Sequence, residues 1–165
     1  MTTRLRAAAA LLLLSVAGCG NSTLPENRIG VSFRYSGALS GAFPESGDVL
    51  MLNERYCTQV NVFATQNQDD GSYSMGLRVN ASQPGTYALG LNGQTGRGAG
   101  TFRFTPAGQL ETREFAFTSG TVEIMELTSE RVRGRFSGTL DGGAAGQIQV
   151  TDGRFNVTVN DLCND

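Results

Sequence analysis

Arg131-Val132-Arg133-Gly134-Arg135-Phe136-Ser137-Gly138-Thr139-Leu140 alternates without a break. Val132, Gly134, Phe136, Gly138 and Leu140 take one side, and Arg131, Arg133, Arg135, Ser137 and Thr139 the other. A period of two sends successive side chains to opposite faces of a pleated chain, so the stretch reads as a half-buried β-strand. The residues before it suggest its partner. An odd-length turn near Thr128-Ser129-Glu130 places Glu123 and Met125 opposite the arginines, with Val122 and Ile124 on the core side. Downstream, Asp152-Gly153 is a hairpin signal; a two-residue turn there pairs Val150 with Phe155 and Ile148 with Val157.

The same period runs back towards the N-terminus. Ile29, Val31, Phe33 and Tyr35 share a face, as do Val60, Val62 and Ala64, and then Tyr73, Met75, Leu77 and Val79 opposite Ser74, Gly76, Arg78 and Asn80. Tyr87, Leu89 and Leu91 follow Pro84-Gly85, and the pairs Phe102/Phe104 and Phe115/Phe117 flank Pro106-Ala107-Gly108. Residues 37–48 are rich in Gly and Ser and lead to a second extended piece at 49–53. Residues 66–71, Gln-Asn-Gln-Asp-Asp-Gly, read as a turn. No helical period is sustained after residue 19. The expected fold is all-β, an antiparallel sandwich of about 9–10 strands, with a lipocalin-like barrel as the alternative.

Residues 1–18 differ in kind. Arg4 and Arg6 precede an unbroken apolar run at 7–14 and small residues at 15–18, the layout of a secretory signal. The run is too short for the ~20-residue helix that crosses a bilayer. Val16-Ala17-Gly18-Cys19 resembles the lipobox of bacterial lipoproteins. The resemblance implies that Cys19 receives a diacylglyceryl group, that the chain is cut just before it, and that the new amino group is acylated. Several acyl chains make a stable anchor where one is marginal. Gly20, in place of Asp, implies the outer membrane by likeness to Gram-negative lipoproteins. Three segments follow: a signal peptide at 1–18, a polar tether with Pro25 at 19–27, and a β-domain at 28–165. The expected place is the bacterial cell envelope, the partner a membrane held through lipid on Cys19. A second, looser likeness covers residues 132–138 and 150–157. Their Gly-x-Phe and Gly-x-Phe-x-Val patterns are similar to uncharacterised lipoprotein β-domains, and imply a fold without an activity.

With Cys19 assigned to lipid, Cys57 and Cys163 form an even pair, expected as a disulfide in an oxidising compartment. Composition narrows the chemistry. Of 13 basic residues, all arginine, Arg4 and Arg6 lie in the leader; the other 11 face 15 acidic residues, a balance that argues against nucleic acid as a partner. The absence of histidine removes Ser-His-Asp and Cys-His catalysis, and the commonest transition-metal ligand with them. Two sulfurs do not complete a zinc shell.

Other features have plainer readings. Asp69-Asp70-Gly71, Asp141-Gly142-Gly143 and Asp152-Gly153 match turn chemistry and no calcium-loop spacing. Glu111, Glu114, Glu123 and Glu126 could supply a glycosidase-like pair, but no spacing brings two together. The arginine stripe reads as a wet strand face with acids across from it, with an acidic sugar or a lipid headgroup as the alternative partner. The expected role is non-enzymatic, structural or binding, without cofactor or metal. A barrel carrying a small apolar ligand is the rival.

Overall fold

A computed structural model describes residues 29–43, 50–91 and 98–163. The expectations on residues 1–18, the tether at 19–27 and lipid attachment at Cys19 fall outside these residues. The described residues form strands β1 (Gly30–Gly37), β2 (Gly41–Phe43), β3 (Leu50–Tyr56), β4 (Gln59–Gln68), β5 (Gly71–Val79) and β6 (Gly85–Leu89). The later strands are β7 (Gly98–Pro106), β8 (Arg113–Leu127), β9 (Arg131–Asp141), β10 (Gln147–Thr158) and β11 (Asn160–Asp161). A 3-10 turn, Gly143–Ala145, joins β9 to β10.

All-β is therefore correct, but the partition into two antiparallel sheets is not what forms. Hydrogen bonds join the described strands into one sheet in the order β11-β3-β4-β5-β7-β6-β8-β9-β10-β1-β2. It is mixed, because β11 runs parallel to β3 and β6 meets β7 in a parallel bridge at Leu89 and Gly98. Continuity comes from β8. Its 15 residues pair with β9 along one edge, and along the other with β7 at one end and β6 at the opposite end. A strand that long spans both halves of the sheet and leaves no break between them.

The sheet curls into a half-barrel. β1 and β7 are four hydrogen-bonded steps apart, which at about 4.8 Å per step would separate them by roughly 19 Å on a flat sheet. Yet Phe102 on β7 lies 5.5 Å from Phe33 and 5.0 Å from Tyr35, ring centroid to centroid, both on β1. Phe43 stacks on Phe33 at 5.1 Å, and Phe136 meets the same ring edge-on at 5.7 Å. Side chains from both halves fill the interior as one core. Burial of this kind, at about 25 cal/mol per Å² of apolar surface, is the main force closing the curl.

The alternations read from the sequence hold where they decide burial. Val132, Phe136 and Leu140 are buried, as are Val60, Val62 and Ala64, and Tyr73, Met75, Leu77 and Val79. Ile29 and Leu91, each at the end of its run, are exposed. Gln66 belongs to β4 and not to the following turn, which is Asp69-Asp70 alone, closed by the pair Gln68 and Gly71. It points inward with Val60, Val62 and Ala64, is 1% exposed, and accepts a 2.9 Å hydrogen bond from Gln68 on Oε1; its Nε2 has no acceptor.

Two turn assignments are corrected by bulges. Asp152-Gly153 makes no hairpin, because β10 runs straight through it. Asp152 takes the left-handed conformation at φ 53°, and the register shifts against both β9 and β1 at that point. The expected pairing of Val150 with Phe155 is therefore absent; Asp tolerates the left-handed region within a bulge as well as in a turn. Between β8 and β9 the turn is even. Thr128 N donates to Arg131 O at 2.9 Å, around Ser129 and Glu130, and Thr128 Oγ1 accepts from Arg131 N at 3.0 Å. A bulge at Met125 restores the parity, so Glu123 still faces Arg135 and Val122 still faces Phe136.

The C-terminal tail closes one corner. Only Val159 separates β10, near one end of the sheet, from β11 at the other, a step of at most about 7 Å. Asn160 and Asp161 pair with Glu54 and Arg55, Asp161 Oδ2 binds Arg55 Nη1 at 2.7 Å, and Leu162 N donates to Arg55 O at 2.8 Å. Cys57 and Cys163 are disulfide-bonded just beyond, with Cα atoms 4.8 Å apart across 106 residues of chain. In the chain-entropy model a loop of about 100 residues contributes roughly 4–5 kcal/mol. Urea denaturation of Cys57→Ala/Cys163→Ala is expected to show a loss of up to about that size. Dithiothreitol should then destabilise the natural chain and leave the double variant unchanged.

Candidate functional site

The outer face of β3, β4, β5 and β7 carries residues that the core does not use. Register sets them in rows. Glu54, Asn61, Arg78 and Ala99 lie side by side, and Phe63, Gly76 and Thr101 form the neighbouring row. Asn61, Phe63, Gly76, Arg78, Ala99 and Thr101, together with Gln59 and Asn80, line an open groove of about 640 Å³. Gln59 Nε2 donates to Asn61 Oδ1 at 2.9 Å, which holds two amides against each other. Tyr56 donates its hydroxyl to Glu54 Oε2 at 2.9 Å beside the groove, and none of the lining residues is acidic.

Gly76 sets the groove's depth. At Gly134 glycine is demanded by contact: a Cβ there would lie 2.2 Å from Glu123 O and 2.4 Å from the Phe155 ring. At Gly76 the nearest atoms to an added Cβ would be Thr101 Oγ1 at 3.7 Å and Phe63 Cδ2 at 3.8 Å, ordinary van der Waals contacts. Its φ is not positive either. Glycine inside a strand costs about 0.5–1 kcal/mol relative to alanine. Here neither backbone conformation nor crowding accounts for that cost. What the missing side chain does is leave a notch between the Phe63 ring and Thr101.

The residues singled out from sequence are dispersed. Arg131, Arg133 and Arg135 lie on the outer face of β9, with Glu126 Oε2 3.3 Å from Arg133 Nε and Glu123 opposite Arg135. Glu114 binds Arg103 Nε at 2.6 Å, and Glu111 is exposed in the connection before β8. The four glutamates thus sit on outer faces or in a loop. Asp141 Oδ1 accepts from Gly143 N at 3.0 Å, as a turn aspartate does. Among the described residues no three Cys, Asp or Glu side chains gather as a metal site.

Asp70 has a different role. It accepts the Tyr73 hydroxyl at 2.6 Å, and burial, followed by this hydrogen bond, holds the Tyr73 phenol far above the usual tyrosine range.

The groove residues Asn61, Phe63, Gly76, Arg78 and Thr101 were not recognisable as a set from sequence. The available signal was Gly76, a lone glycine inside an alternating strand, which usually marks a bulge or a close backbone approach. The structure has neither there. No family model matches the chain, and no curated protein or solved structure matches it.

Two outcomes are expected. Gly76→Thr should leave thermal stability unchanged or raise it, by at most about 1 kcal/mol from strand propensity, as read by calorimetry. Because the Tyr73 pKa is raised in the fold, its contribution is complete below about pH 10 and is lost as the pH rises beyond it. Urea titrations should show stability falling above that pH, and less steeply in Tyr73→Phe.

Proposed function

We propose that this protein is a lipid-anchored domain of the bacterial cell envelope that acts by binding, without catalysis, through the outer faces of its sheet. The observation that carries the reading is the Cys57–Cys163 bond. A disulfide suits an oxidising compartment outside the cytoplasm, and pairing these two leaves Cys19 of Val16-Ala17-Gly18-Cys19 for lipid, as its likeness to the lipobox implies. Acyl chains on Cys19 then hold the domain at the outer membrane, with residues 19–27 as the tether.

Of the two binding modes, an outer face is favoured over an enclosed apolar ligand. Rings from opposite halves of the curl lie 5.0–5.5 Å apart, and Phe33, Phe43, Phe102, Phe115 and Phe117 are essentially fully buried. Protein side chains occupy the space that a lipocalin-like carrier gives to its ligand. In this reading the half-barrel works as a sandwich does. Its β9–β10–β1 half and its β4–β5–β7 half enclose one core, and each presents a polar surface.

Cys19→Ser tests the anchor. The variant is expected to keep its β-sheet circular dichroism and its disulfide while moving from the membrane fraction to the soluble fraction. A Cys19→Ser protein that stays with membranes would overturn the reading.

A further inference from the structure

The strands of the sheet have two ends, and exposed large apolar side chains gather at one of them. β1 begins there, β3 and β5 finish there, and the clasp of β11 on β3 closes it. Of the six such side chains exposed among the described residues, Ile29, Tyr56, Leu91, Met125 and Leu162 lie at this end, and Leu110 lies at the other. Register fixes the assignment. Ile29 precedes Gly30 at the start of β1, Tyr56 faces Gln59 next to Cys57, and Leu162 N donates to Arg55 O. Met125 is the bulge residue opposite Arg133 and Gly134, near the β8–β9 turn. Gly90, beside Leu91, donates its N–H to Gly98 O where β7 begins opposite Val79. We infer that this end of the half-barrel rests on the lipid bilayer, with these side chains among the headgroups.

The described chain enters the fold at the same end. Ile29 is its first residue, ten residues after Cys19, a span of at most about 36 Å when extended. The opposite end lies 8 residues further along β1, roughly 25 Å at about 3.3 Å per residue. A lipid on Cys19 therefore holds the entry end nearer the membrane than the far end. The inference rests on the anchor proposed above and adds to it a second contact, made by the folded domain itself.

Charged groups sort the two ends the same way. The turns of the far end carry the exposed carboxylates Asp69, Asp70, Glu111 and Asp141, which the phosphates of lipid headgroups repel. At the entry end Arg55 is bound to Asp161, and Arg131 follows Glu130 in the β8–β9 turn. Exposed aliphatic side chains with a tyrosine and arginines beside them suit the boundary between headgroups and acyl chains. None of the five apolar side chains belongs to the core, so their exposure is not a by-product of packing. An acyl anchor by itself leaves a domain free to turn on its tether, whereas a second contact fixes its orientation. With this end down, the strands rise from the bilayer and both outer faces of the sheet stand clear of it.

The test places the full-length lipidated protein in nanodiscs of phosphatidylcholine and phosphatidylglycerol, doped with a lipid whose headgroup bears a nitroxide, and reads the broadening of each amide NMR signal. Expected is broadening centred on residues 29–31, 56–58, 125–131 and 160–163, at least about twofold stronger than at 69–70, 107–112 and 142–146. Ile29→Asn/Leu162→Asn should reduce it by about half or more at an unchanged melting temperature, and Leu110→Asn should leave it as it was. If the double variant does not fold, Met125→Gln decides in its place. Broadening centred on the far end, broadening that follows Leu110 or ignores the deciding variant, or none in protein that copurifies with the discs would overturn the inference. So would a second copy of the chain covering this end, seen as a dimer in the discs. Protein that does not enter the discs refutes the anchor and this inference with it, and the intact mass, which shows whether Cys19 carries acyl chains, tells the two failures apart.

Discussion

Everything in this fold depends on holding a curled sheet shut at one corner. Val159 is the only residue between β10 and β11, strands near opposite ends of the sheet. Two backbone pairs, the Arg55–Asp161 ion pair and the Cys57–Cys163 bond keep that step in place. Hydrogen bonding within a sheet constrains neighbours only. Bringing strands four steps apart into contact requires something that acts across the curl, and here the core does so from within and the C-terminal tail from the edge. The ion pair alone would be weak, since its side chains keep 20% and 24% of their surface exposed. Its place beside the disulfide makes it one part of a longer clasp.

Bulges reconcile this curvature with burial. β8 shifts register at Thr118 and at Met125, and β10 shifts at Asp152. Thr118 Oγ1 donates to Thr139 O at 3.2 Å across the first of these irregularities. Each extra residue bends its strand and increases local twist. Each also reverses the alternation, which would turn apolar residues outward unless the pattern were adjusted. The pattern is adjusted: Phe117 and Val122, an odd and an even position, are both buried on β8. Val150 and Phe155 stand in the same relation on β10.

The two wet faces of the half-barrel differ in charge. On β9 and β10 arginines cluster, with Arg154 directly opposite Arg135, and glutamates of β8 answer from the next strand. On β4, β5 and β7 the surface consists mainly of amides and hydroxyls around Arg78 and Phe63, and a missing side chain at Gly76 gives it relief. On the first face Glu126 pairs with Arg133, and Glu123 stands opposite Arg135. The second has donors and acceptors arranged around an open groove.

What the sequence by itself determined is which side chains go inside. Period-two alternation at residues 60–64, 73–79 and 132–140 follows from pleat geometry, and core membership came out correctly wherever the run was long. The Cys57–Cys163 pair was legible too, because assigning Cys19 to lipid left two thiols. Short-range rules went astray where two structures share one local signal. Asp152-Gly153 suits a turn or a bulge equally, and Gln66 sits among turn-forming residues yet continues a buried face. Only tertiary structure decided which strands pair, that β8 makes one sheet of two halves, and that a parallel β11 closes the corner. These are contacts between residues far apart in the chain, and local periodicity carries no record of them. The groove belongs with them. Asn61, Gly76 and Thr101 are unremarkable on their own strands, and line one groove only when register sets the three strands side by side.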